Sequence, residues 1–361
     1  MFQNSQEFPP NSIPTSSWRH RNKPRLIVLI RHGESQSNKD KLVNEYTPNH
    51  LVPLTAKGWK QAKYAGIQLL KALNVDDEDI VDRLEKKYKC EANLGQELPI
   101  SNYKKLNKKK DLDIVFYTSP YIRTRETLKG ILDVIDEYNE LNSGLKIPEE
   151  YRYEPCNKKK SAAWHQKFST GVEETEELFK SNEGSFEKAT DIKEGGSAFE
   201  SQEVPASVND DSICNKINTE NGKTFIRYRI KDDPRIREQD FGNFQQVTSM
   251  EDVMTKRKHY GHFFFRFPQG ESAADVYDRV ASFQETLFRF FERNILRKPR
   301  DVVVLVSHGI YCRVFLMKWF RWTYEEFESF TNVPNGSLMI MELDESIDRY
   351  VLRTELPRWC Q

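Results

Sequence analysis

Cysteine is scarce in this 361-residue chain: five residues, at positions 90, 156, 214, 312 and 360, with no Cys-x-x-Cys pair. An odd, scattered set argues against a disulfide framework or a cysteine-ligated zinc site. Charge of one sign is missing too, since 55 basic residues meet 55 acidic ones. Without a global field, nucleic acid is not an expected partner. No segment reaches the roughly eighteen apolar residues of a membrane helix, so no transmembrane segment is expected. The first residues carry Pro9, Pro10 and Pro14 among serine and asparagine, with no apolar core of signal-peptide length. The expectation is a soluble protein of a reducing compartment, the cytoplasm with the nucleus also open to it.

What is present is polar and uneven. Mean hydropathy is −0.74 with 30% charged residues, too polar for a packed domain throughout. Residues 1–24 read as a disordered leader, and 25–357 as one domain with two insertions. The first insertion, 75–111, is charge-dense and ends in NYKKLNKKK. The second, 155–223, reads as disordered and acidic, with twelve acidic residues against three lysines between 171 and 211. The lysines at 104–110 and 158–160 could touch anionic membranes, but a solvated insertion is the better account of them.

Between these stretches, strands alternate with helices. RLIVLI (25–30) reads as a strand covered on both faces, and DIVFYTSP (113–120) and DVVVLVSHG (301–309) as a second and a third strand. A helix is expected after the N-cap Thr55, another over 121–138, a strongly amphipathic one in 268–293 and a fourth from Ile310 to Phe320. Two closing strands follow in 336–344 and 349–356. This alternation predicts an α/β fold with a mostly parallel sheet.

Two of the strands, LIVLIRHG and VVVLVSHG, end in His-Gly. Ligands of open α/β sheets sit outside the carboxyl ends of the strands, so His32 and His308 are expected side by side at one edge. Arg31 joins them from its own strand. Arg123 lies just beyond the strand that ends in Thr118, Ser119 and Pro120. Any one of these residues alone is more often a turn or solvated residue. Two arginines and two histidines converging where helix N-termini point form a site for a dianion, most simply a phosphoryl group.

At these residues the chain resembles the histidine phosphatase, or phosphoglycerate mutase-like, superfamily. The matching segments are RHGESQSN, PLTAKGWKQA, TSPYIRTRET, IREQDFGNF, PQGES and VVLVSHG, in the family's order from residue 25 to about 345. The resemblance implies a three-layer α/β/α sandwich with a mostly parallel central sheet. It implies His32 as nucleophile, forming a phosphohistidine, and Glu238 as the general acid that later activates water. Arg31, Arg123 and His308 would hold the phosphoryl oxygens, Asn38 would add a hydrogen bond, and Gly309 would let the backbone approach. Neither metal nor cofactor is implied, because the arginine pair supplies charge neutralisation.

The activity so implied is a phosphomonoester hydrolase acting on a small-molecule phosphate ester, most active on the acid side of neutral. Mutases of the family clamp a substrate carboxylate with a basic cluster between the acid loop and the long helix. Here Lys256, Arg257 and Lys258 read as an exposed helix face, Arg266 stands alone, and the aromatic run suggests an apolar cap. That favours hydrolysis, with a phosphoglycerate mutase-type transferase and a non-catalytic phosphate-dependent binder as alternatives. The loops are most similar to a fungal and plant branch of acid phosphatases and mutase-like proteins. Fungal members of that branch are linked to intracellular sterol transport.

Overall fold

Leu26–Arg31 form strand β1, five of whose six residues are buried. That is why LIVLI shows no polar alternation. In the computed structural model, residues 23–75, 77–89, 98–100, 111–144, 146–148, 152–155, 225–242, 247–293 and 301–359 are described. Past three short helical turns between 36 and 51, helix α1 spans Ala56–Leu73, and the Thr55 hydroxyl accepts the Gly58 N–H as expected of an N-cap. Helix α2 (Glu78–Lys89), strand β2 (Asp111–Thr118), helix α3 (Ile122–Ser143) and strand β3 (Phe225–Asp232) follow. The second half holds α4 (Val247–Tyr260), α5 (Ala273–Arg293), β4 (Val302–Ser307), α6 (Gly309–Phe320), α7 (Tyr324–Ser329), β5 (Leu338–Asp344) and β6 (Arg349–Leu352).

The strands make one six-stranded sheet in the order β3-β2-β4-β1-β5-β6. The first four are mutually parallel, β5 runs antiparallel to β1, and β6 antiparallel to β5. Ile27, Leu29, Val303 and Leu305 share a core with Val276, Val280, Phe283 and Leu287 of α5 and with α6. The alternate residues Val28, Ile30, Val304 and Val306 are equally buried on the opposite face, where α1 and α3 pack. The result is the expected α/β/α sandwich.

Two local expectations change. The charge-dense stretch 75–111 carries α2, which buries Ile80, Val81 and Leu84 beside α1 and α3. Three apolar residues among nine polar ones are enough when their spacing falls on one helical face. The long helix begins at Ala273 rather than Pro268, because Ser272 and Asp275 cap each other and 268–271 form a turn. The expected leader, apart from Lys23 and Pro24, and nearly all of the acidic insertion lie outside the described residues, as do both lysine-rich stretches. All of the described residues except 153–155 belong to one compact unit. Among the described residues no helix is long and apolar enough to cross a membrane.

The sheet delivers its loops to one edge. Arg31 pairs with Ser307 and Thr118 with Val306, so β1, β4 and β2 end in register. The turn after β1 then crosses the start of α1 at backbone contact. A Cβ on Gly33 would lie 2.4 Å from the Gly58 carbonyl oxygen, and one on Gly58 would lie 2.1 Å from that of Glu34. Both positions therefore need glycine for a close approach. Gly58→Ala is expected to lower unfolding stability by about 2 kcal/mol or more, within the range for overpacking, and denaturant titration measures it.

Candidate active site

His32 and His308 follow directly on β1 and β4, and the His32 N–H donates to the Ser307 carbonyl at 2.9 Å. Their rings meet edge to face with centroids 5.2 Å apart, and both are buried. Nδ1 of His32 lies 2.6 Å from the Gly33 carbonyl oxygen, which can only accept. Nδ1 must therefore carry the proton, leaving the Nε2 lone pair free. Nε2 of His308 contacts the Ser119 hydroxyl at 2.9 Å, while its buried Nδ1 has no hydrogen-bond partner and lies 3.6 Å from the Glu238 carboxylate.

The turn carrying His32 is held by side chains. The Gly33 N–H donates to Thr127 Oγ1, that of Glu34 to Gln61 Oε1 and that of Ser35 to Asn38 Oδ1. Asn335 Nδ2 reaches the His32 carbonyl at 3.0 Å and Asn38 Oδ1 at 3.2 Å. The N–H groups of Gly33, Glu34 and Ser35 are thus engaged within the protein, and the nucleophile candidate is fixed in place.

Arg31 and Arg123 converge on the same space. Arg31 Nη1 donates to the Val333 carbonyl and Arg123 Nη1 to that of Asn49, yet the Nε of each is buried without a partner. Burial lowers both guanidinium pKa values, and the Glu238 charge opposes this. Burial also drives His32 well below the ordinary histidine range, and the Arg123 and Arg31 charges lower it further. His308 falls likewise, through burial and then Arg123. Glu238, 9% exposed, moves the other way, because burial raises its pKa more than Arg123 and Arg31 lower it. The pocket thus holds two neutral imidazoles, two cations and a carboxyl group inclined to keep its proton.

Of the expected residues, Arg31, His32, Arg123, Glu238 and His308 come together. Gly309 opens α6 directly behind His308, and a Cβ there would stand 3.2 Å from Arg31 Nε. Its bareness makes room for that guanidinium. Asn38 is exposed, its side-chain oxygen engaged by Ser35 and Asn335, so it borders the site rather than entering it. Arg257 corrects an expectation. Only its neighbours Lys256 and Lys258 are exposed; Arg257 is 7% exposed, its guanidinium over the Phe267 ring and its Nη2 3.3 Å from Gln239 Oε1. The aromatic run is divided: Phe263, packed on Phe327 and Tyr277, and Phe267 are core, whereas Phe264 is 55% exposed and Phe265 half-buried.

Sequence reasoning assigned no role to Ser119, Tyr121, Asn335 or Arg279. Ser119 lies at the strand end the sequence indicates, and Tyr121, edge to face with His308 and with the Arg123 guanidinium over its ring, is its near neighbour. Asn335 carried no signal, since its contact is made across 303 residues.

His32, Glu238 and His308 place one donor atom each within 4.8 Å of one another, a nitrogen and oxygen set of the kind divalent metals take. Arg31 and Arg123 decide against that use. Two guanidiniums beside the donors repel a cation and attract a dianion.

Comparison with known proteins identifies the chain's relatives. Residues 218–354 match the model of the histidine phosphatase superfamily, branch 1. The chain is 60% identical over 337 residues to the broad-range acid phosphatase DET1 of Saccharomyces cerevisiae, covering 93% of this chain and 91% of the relative. It is 29% identical over 346 residues to the Arabidopsis thaliana phosphoglycerate mutase-like protein AT74, covering 93% and 72%. A mycobacterial glucosyl-3-phosphoglycerate phosphatase structure aligns with TM-score 0.44 and 13% identity over 94% of this chain and all of that one. The chain belongs to the histidine phosphatase superfamily.

Proposed function

We propose that the chain is a phosphomonoester hydrolase of the acid phosphatase type, working through a phosphohistidine on His32. The observation that carries this reading is the free Nε2 of a buried, neutral His32 beside the guanidiniums of Arg31 and Arg123, the Nε of each buried without a partner. The 60% identity to a broad-range acid phosphatase supports it.

In the first step His32 Nε2 attacks phosphorus and the P–O bond to the leaving alcohol breaks. The Glu238 proton passes to the departing oxygen. Arg31, Arg123 and His308 hold the phosphoryl oxygens, Asn38 adds its amide N–H from the rim, and the N-terminus of α6 at Gly309 contributes positive potential. In the second step water attacks phosphorus, ionised Glu238 takes a water proton, and the N–P bond breaks to restore His32. Charge neutralisation comes from side chains throughout, with no step assigned to a metal or cofactor.

The pH dependence follows from the signs of the shifts. His32 must be neutral, and its lowered pKa keeps it so at mildly acid pH. Glu238 must be protonated, and its raised pKa keeps it so above the ordinary carboxyl range. Rate is lost as pH falls through the His32 pKa and as it rises through that of Glu238.

A mutase reading would draw on Arg257, now buried beside the acid loop. A primer requirement separates the two: the hydrolase releases phosphate without added bisphosphoglycerate. The sterol-transport link implied by the resemblance is not needed by this reading, which rests on the phosphoryl pocket alone. A phosphate-binding protein without turnover is the third reading.

Turnover of a panel of phosphate esters is expected to peak on the acid side of neutral; an optimum above about pH 8 would contradict Glu238 as donor. Glu238→Gln should cost roughly 10²–10⁴-fold on alkyl esters and flatten the alkaline limb of the kcat profile. Removing a charge-assisted bond of about 1.5–3 kcal/mol, Arg123→Met should weaken competitive inhibition by inorganic phosphate about 10- to 150-fold.

A further inference from the structure

Glu238 rides on the irregular segment after β3, and its carboxylate accepts only the Gln239 N–H, at 3.1 Å, among its described hydrogen bonds. Something else must hold it at the reacting atoms. The segment does carry an unusual anchor. Arg279, reaching from α5, has five N–H groups, and all five have acceptors. Nε and one Nη2 hydrogen meet the two oxygens of Glu271, at 3.2 and 3.0 Å. Nη1 donates to the carbonyls of Arg235 and Arg237 at 2.7 and 2.9 Å, and Nη2 to that of Glu238 itself at 3.1 Å.

Glu271, the acid of the PQGES segment, is equally filled. Its Oε1 also accepts from Arg237 Nη2 and its Oε2 from the Asp240 N–H. Its main chain accepts from Gln239 Nε2 and donates to the Asp240 carbonyl, both at 2.8 Å. The two segments also touch as bare backbone. A Cβ on Gly242 would lie 2.1 Å from the Pro268 carbonyl oxygen, and one on Gly270 would lie 2.5 Å from that of Asp240. A salt bridge serving stability alone has no need to end on three main-chain carbonyls flanking one carboxyl group.

We propose that the Arg279–Glu271 pair is a positioning clamp for the general acid: it fixes the backbone on both sides of Glu238 and thereby aims its carboxyl at the leaving oxygen. This inference rests on the phosphohydrolase reading and assigns a purpose to PQGES within it. Neither residue touches substrate.

Two esters with the same phosphoryl group test it. A p-nitrophenyl ester departs readily without a proton, whereas a glycerol ester depends on the acid. Arg279→Gln is expected to lower kcat on the glycerol ester roughly 10- to 100-fold, part of the full acid contribution, with KM little changed. On the nitrophenyl ester the loss should stay within about threefold, and Arg279→Lys, which keeps charge without the fork, should recover only part of the difference. In a Glu238→Gln background, Arg279→Gln should cost nothing further. Glu271→Gln, nearly isosteric, carries the same comparison if Arg279→Gln fails to fold, and thermal melting of each variant checks folding. Equal losses on both esters, or additive losses in the double variant, would overturn the clamp. If Glu238→Gln itself makes no distinction between the esters, the acid assignment falls and the clamp with it. If Glu238→Gln distinguishes them and neither clamp variant does, the clamp alone falls.

Discussion

Two guanidinium groups at the end of a hydrophobic sheet, that of Arg123 buried and that of Arg31 half-buried, with no ion pair to either among the described residues, are the constraint on which this structure turns. Burying a cation is expensive unless it is paired and hydrogen-bonded. Arg31 and Arg123 each meet a main-chain carbonyl and keep a buried Nε without a partner. The fold thus maintains an unfilled hydrogen-bonding capacity of positive sign, which a phosphoryl dianion completes. Burial, and after it the field of these cations, lowers both histidine pKa values and favours neutral imidazoles. Glu238 supplies the opposing charge when ionised, but burial favours its protonated form.

Holding such charge in place requires a stiff mount. Register between β1, β4 and β2 brings three loops to one edge, and the Gly33–Gly58 crossing locks the first of them against α1. The acid segment is tied from below as well, since Ser307 Oγ donates to the Ile236 carbonyl at 2.7 Å. His32 and Glu238 are thus carried on separately anchored backbones, as the proposed catalysis by preorganised position and charge requires.

Much of this was legible in the sequence because strand chemistry is local. Two apolar runs ending in His-Gly announce two strands and, through the geometry of parallel sheets, the meeting of His32 and His308. Arg123 could be read from its place one turn beyond a strand. What local pattern does not encode is which side of a helix is covered. Lys256, Arg257 and Lys258 look alike in sequence, and only tertiary packing against Phe267 and Gln239 buries the middle one. Helix α2 was hidden because three apolar residues do not stand out among charges. Asn335 and Arg279 act through main-chain carbonyls distant in sequence, and such acceptors leave no mark on residue identity.

The central claim is that His32 becomes covalently phosphorylated, and trapping that bond is its most direct measurement. Protein mixed with a phosphorus-labelled ester at acid pH and quenched in alkali should carry alkali-stable, acid-labile label, mapping to the peptide that contains His32. Label and turnover should vanish together in His32→Ala. Turnover without label on His32, or label on another residue that persists in His32→Ala, would contradict the account.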